Sequence, residues 1–128
     1  MAPRDHADTL LRKAAQDEFV LRKLAPDPAA PDEAIGFHAQ QAAEKMLKAV
    51  LAVRAVHYRR THDLVELIDL LRDHGVDFPA DLDEVRQLGP FAAEMRYEEM
   101  SARAEEPLNR AWVLHLVERM RAWAESAL

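Results

Sequence analysis

The chain has no cysteine. Disulfides, thiolate nucleophiles and cysteine metal ligands are therefore excluded, and the composition fits a reducing compartment. Glycine is scarce, at 3 of 128 residues, which argues against a sheet fold built on tight turns. Aromatic residues make up only 6%. No apolar run approaches the roughly 20 residues that a membrane span needs. Positive charge is also in deficit: 17 Lys and Arg stand against 23 Asp and Glu, a formal net charge of −6. Such a chain lacks the broad positive field of a general nucleic-acid binder, although a local basic patch remains open to it. The opening MAPRDHADTLLRK has no signal-peptide core. A soluble, cytoplasmic protein is the expectation.

What is present is helix-forming. Hydrophobic residues reach 49%, with abundant Ala and Leu, and the length suits one domain over 1–128. Periodicity and punctuation predict five helical segments, at about 8–24, 33–56, 63–74, 81–100 and 108–127. Three prolines hold the 25–31 connection out of helix, and Asp32 is placed to cap the second segment. Asp63 and Glu66 resemble a capping box for the third, and Gly75 suits its C-terminal cap. Gly89-Pro90 should kink or split the fourth segment, and Pro107 fits the first turn of the fifth. Apolar stripes predict that these helices bury one another: Ile35, Ala39, Ala42, Ala43, Met46, Ala49, Val50 and Val53 on the second, and Leu64, Leu67, Ile68 and Leu71 on the third. The fifth contributes Leu108, Trp112, Val113, Leu116, Met120 and Trp123. The fold class is all-α, an up-and-down bundle of four to five helices with antiparallel neighbours.

One stretch carries more polarity than packing requires. On the second segment His38, Gln41, Lys45 and Lys48 share one edge through i, i+3 and i+4 spacing. Lys and His offer donors and positive charge to an anion such as phosphate. The bland reading is a solvated helix face, with Glu44 and Lys48 as an ordinary ion pair. Asp17 falls on the apolar side of the first helix among Leu10, Ala14, Leu21 and Leu24. A carboxylate there needs a partner, and Lys45 or His38 across the helix pair is expected to supply it. The basic link RAVHYRRT, 54–61, precedes the third helix, where unpaired N–H groups favour anions, and Tyr58 could stack on a base. An exposed arginine-rich loop is the plain alternative. His62 most simply organises the helix start. The six histidines form no HExxH and no i, i+4 pair. No metal site and no cofactor is read from the sequence, which also lacks phosphate-binding glycine loops and a nucleophile elbow.

The segment FHAQQAAEKMLKAVL followed by THDLVEL resembles the HEPN family of prokaryotic helical domains, and LLRKAAQDEF, with Lys13, Ala14 and Asp17, is similar to that family's opening. The likeness covers about residues 9–75. It implies a four- or five-helix bundle that usually forms a homodimer and is often encoded beside a small nucleotidyltransferase in toxin–antitoxin modules. Some members are metal-independent RNases that use an Arg-x(4–6)-His motif, and others bind nucleotides without cleavage. The matching place here, 95–103, holds Arg96 with no histidine in reach. A numerical match, Arg110 to His115, lies inside the last helix, where five residues turn through about 140° and the side chains diverge.

The leading expectation is therefore a non-catalytic HEPN protein that binds a nucleotide or anion and pairs with a nucleotidyltransferase. His38, Gln41, Lys45, His62 and Arg96 would hold the ligand, with Asp17 orienting Lys45. The alternatives are an RNase toxin using Arg110 and His115, with RNA as its substrate, and a structural dimerisation or interaction module.

Overall fold

A computed structural model describes residues 3–92 and 107–128. Four α-helices, α1 (Pro3–Leu24), α2 (Asp32–Val53), α3 (Leu64–Asp73) and α4 (Arg110–Ala127), enclose a 3-10 segment, Ala80–Phe91. The described residues contain no strand. The all-α bundle expected from periodicity is the fold this chain adopts.

The central element is α2, which packs against every other one. Its burial extends beyond the expected arc: Leu47, Leu51 and Ala52 are buried as well as Ile35, Ala39, Ala42, Ala43, Met46, Ala49 and Val50, whereas Val53 is only partly covered. A helix buried nearly all round must also bury polar groups, and it buries Gln40 and Glu44. The α1 and α2 helices are antiparallel. Ala7 clusters with Ala49 and Ala52 at one end, and Asp17 meets His38 and Lys45 further along. Gly36 provides the close approach for Phe91, whose ring atoms would lie 2.2–2.5 Å from an added Cβ.

Residues 54–63 return along α2, bringing His62 beside Gln40 and Glu44. The third helix then descends in the same sense as α2, because Phe78 beyond its end packs on Trp123 near the C-terminus of α4. Consecutive helices are thus antiparallel at α1–α2 but not at α2–α3; a ten-residue connection is long enough to double back.

Four local expectations are corrected. The fourth segment is 3-10 rather than α-helical over Ala80–Phe91. Its buried residues, Leu82, Val85, Leu88 and Phe91, repeat every third position, and only three residues per turn puts them on one side. Asp32 lies inside α2 and caps nothing there. Its carboxylate instead accepts from the Leu108 amide at 3.0 Å and from Arg110 at 3.0 and 3.1 Å. Pro107 precedes α4, whose cap is Asn109, accepting from the Trp112 amide. The Asp63 cap on α3 does form, to the amides of Val65 and Glu66. Glu66, however, turns to Arg59 at 2.9 Å instead of closing a box. The remainder of the fourth segment, including Arg96, lies outside the described residues.

Candidate functional site: a polar seam along α2

Asp17 reaches α2 from the middle of α1. Its Oδ2 accepts from Lys45 Nζ at 2.5 Å and its Oδ1 from His38 Nδ1 at 3.0 Å. The Asp17 side chain is 13% exposed. A carboxylate so far from water is tolerated because both oxygens are occupied by charge-assisted bonds. Lys45 and His38 both converge on it because seven residues are close to two helical turns. With Nδ1 committed to Asp17, the His38 ring is fixed and its Nε2 is directed away from the carboxylate.

The chain of contacts continues. Lys45 Nζ lies 3.4 Å from Gln41 Oε1, Gln41 donates to Gln40 Oε1 at 2.7 Å, and Gln40 donates to Glu44 Oε1 at 3.2 Å and to the His62 carbonyl at 3.1 Å. Glu44 repeats the arrangement at Asp17. Its Oε1 meets His62 Nδ1 at 2.8 Å and its Oε2 meets Lys48 Nζ at 3.0 Å. Two nearly buried carboxylates therefore each hold one lysine and one histidine, and two glutamines join them. Lys48 also lies over the Tyr58 ring, 5.7 Å from its centroid, and the Tyr58 hydroxyl lies 3.2 Å from His6 Nε2. Burial, and then the Glu44 carboxylate, hold the Tyr58 phenol above its ordinary value. At this end of the seam a cleft of about 430 Å³ opens, lined by Pro3, His6, Ala52, Val56, His57 and Tyr58.

The fold thus gathers Asp17, His38, Gln41, Lys45 and His62 into one network. Gln40 and Glu44 are the residues that sequence reasoning passed over. Glu44 looked like the partner of Lys48 on a wet face, yet it is 4% exposed. The signal that could have found it was the Gln40–Glu44 spacing beside an apolar arc broad enough to leave no wet side. Lys13, one turn before Asp17 on α1, is exposed and has no ion pair among the described residues.

Arg110 and His115 lie elsewhere. Arg110 donates to the carbonyls of Ala25, Asp27 and Ala30 at 2.6–3.1 Å as well as to Asp32, so every guanidinium nitrogen is engaged. His115 is exposed further along α4. Among the described residues no three His, Cys, Asp or Glu side chains gather as a metal site, and no helix is long and apolar enough to cross a membrane.

A cysteine-free helical bundle whose central helix carries a buried, carboxylate-organised polar seam defines the class. The chain belongs to the HEPN family: the family's model, described as HEPN domain, matches residues 9–127. No curated protein and no solved structure matches it.

Proposed function

We propose that this chain is a non-catalytic HEPN protein that binds a phosphate-bearing ligand, a nucleotide, along the α1–α2 seam, and that it acts beside a nucleotidyltransferase in a toxin–antitoxin-like module. One observation carries the binding reading: Lys45 and Lys48 are each fixed by a nearly buried carboxylate while remaining partly exposed, at 21% and 13%. A cation held in place loses little freedom when an anion arrives, so affinity comes from preorganisation. Lys45 and Lys48 offset the charges of Asp17 and Glu44, and Lys13, one turn from Asp17 on α1, adds a further positive charge on an otherwise acidic molecule. Gln41 and the His38 ring supply directional hydrogen bonds, and Tyr58 at the cleft offers a face for a base.

The non-catalytic reading is favoured because the one numerical Arg-x(4–6)-His match uses an arginine already consumed as a structural staple. The supporting test is thermal. ATP or GTP at millimolar concentration should raise the melting temperature, as any ligand of the folded state must. Lys13→Ala should weaken that response without lowering the melting temperature of the free protein, since Lys13 is exposed and has no ion pair among the described residues. Lys45→Ala should remove it. No shift with any nucleotide would sink the reading and leave an interaction module in its place.

A further inference from the structure

A second hollow, of about 290 Å³, opens where the start of α3 meets the end of the 3-10 segment. Leu64, Val65 and Pro90 give it apolar walls. Leu64 belongs to the core, whereas Val65 is 36% exposed, one of two exposed large apolar side chains among the described residues. Gly89 completes this part of the lining. Its φ is not positive, so the backbone does not demand glycine there. A Cβ added at Gly89 would meet no atom within 4 Å among the described residues. The missing side chain leaves the hollow open. An apolar recess that holds water favours a ligand able to displace that water.

The polar part of the lining is His62, Asp63 and Arg86, and its charges are unevenly balanced. Asp63 Oδ1 accepts from the amides of Val65 and Glu66, so the N-terminus of α3 already compensates that carboxylate. Arg86 is compensated less well. Its Nε donates to Asp83 Oδ1 at 3.1 Å, and Arg72 Nη1 donates to the same oxygen at 3.2 Å. One carboxylate thus serves two guanidinium groups. Asp69 adds only a 3.9 Å contact to Arg86 Nη2, and its side chain is 60% exposed. Arg86 Nη1 has no partner among the described residues. Arg86 is therefore held in place at an apolar recess without being fully neutralised. A hydrocarbon body with a singly charged anionic head complements both features, whereas a dianion would meet Asp63 and Asp69. At the roughly 30 Å³ that a water molecule occupies in the liquid, the hollow takes on the order of ten non-hydrogen atoms, too few for a nucleotide. We propose that this hollow binds a small aliphatic carboxylate, with its chain against Leu64, Val65 and Pro90 over Gly89 and its head group on Arg86. The site is distinct from the seam, with which it shares His62.

Amide and methyl NMR of the full chain, titrated with butyrate, hexanoate and octanoate, tests this. Saturable shifts should appear at Leu64, Val65 and Gly89. His38 should stay unmoved, since a shift there would report an anion on the seam instead. Each methylene added to the ligand should tighten binding about fourfold until the recess is full. Hexan-1-ol should bind about tenfold or more weakly than hexanoate, and Arg86→Met should remove that difference. Gly89→Leu should fill the recess and abolish binding. Because a side chain before Pro90 can cost stability, Val65→Asp supplies an independent block. Its carboxylate suits the first turn of α3 but repels the head of the ligand, so binding should be lost with the melting temperature retained. Affinity that ignores chain length, hexan-1-ol bound as tightly as hexanoate, shifts centred on His38, or undiminished binding by a folded Val65→Asp protein would each overturn the assignment.

Discussion

Ala55 is the described non-glycine residue with positive φ, at 55°. It ends α2 in the same way that Gly75, at φ 75°, ends α3. In both places the following amide reaches back to the last turn, Val56 to the Leu51 carbonyl and Val76 to that of Leu71, each at 2.9 Å. The left-handed conformation is cheap for glycine and strained for alanine. Ala55→Gly should therefore stabilise the protein by about 0.5–1 kcal/mol, read as a higher urea midpoint with unchanged slope. A neutral or lower midpoint would show that the loop carries no strain. Tyr58, three residues on, gives a pH test. Its raised phenol means that folding favours the neutral form, so its contribution is complete below about pH 10 and is lost as pH rises through the folded value. Tyr58→Phe should flatten the alkaline loss of stability, and difference absorbance titration against that variant should place the missing phenol above free tyrosine. At this scale the sequence was informative where a residue conflicted with its surroundings. Asp17 on an apolar face demanded a base, and Lys45 supplies it. A double-mutant cycle of Asp17→Asn with Lys45→Met should give a coupling of roughly 1–2 kcal/mol, below that of a fully buried pair because Lys45 is 21% exposed.

Among the elements, α4 depends on a contact that no local pattern announces. Arg110 gathers three carbonyls of the α1–α2 connection and the Asp32 carboxylate, locking the start of α4 to the start of α2. Arg110→Ala should lower stability by about 2–3 kcal/mol, since it leaves Asp32 and several carbonyls without their donor. Arg110→Lys should recover little, because an ammonium cannot reproduce the planar fork. A full rescue by lysine would contradict the staple. Any loss of activity on removing Arg110 must therefore be normalised to the folded fraction. The helices themselves were legible because amphipathic stripes at 3.6 residues per turn appear on α2, α3 and α4. The 3-10 segment was read as α-helix because Leu82, Val85 and Leu88 fit both periods until Phe91 extends the run of threes. The staple was not legible, since it pairs residues 78 apart and aspartate before a helix ordinarily reads as a cap.

Over the whole molecule, one central helix sets both stability and site. Because α2 is covered on nearly every side, its polar residues cannot remain on a wet face, and the carboxylates of Asp17 and Glu44 bring four basic side chains to fixed positions. Half of that site could be read from spacing along α2. The other half, through Glu44 and His62, required the return of residues 54–63 along the helix, which is a property of the chain's path and not of any short motif. The organised seam, and not Arg110 with His115, is the proposed place of ligand contact, and histidine resonances report on both at once. Side-chain nitrogen and carbon NMR should be followed while ATP, and in parallel inorganic pyrophosphate, is titrated into the full chain. The expected result is saturable shifts at His38 and His62 with no change at His115. Shifts confined to His115, or no saturable shift at any histidine, would contradict the account.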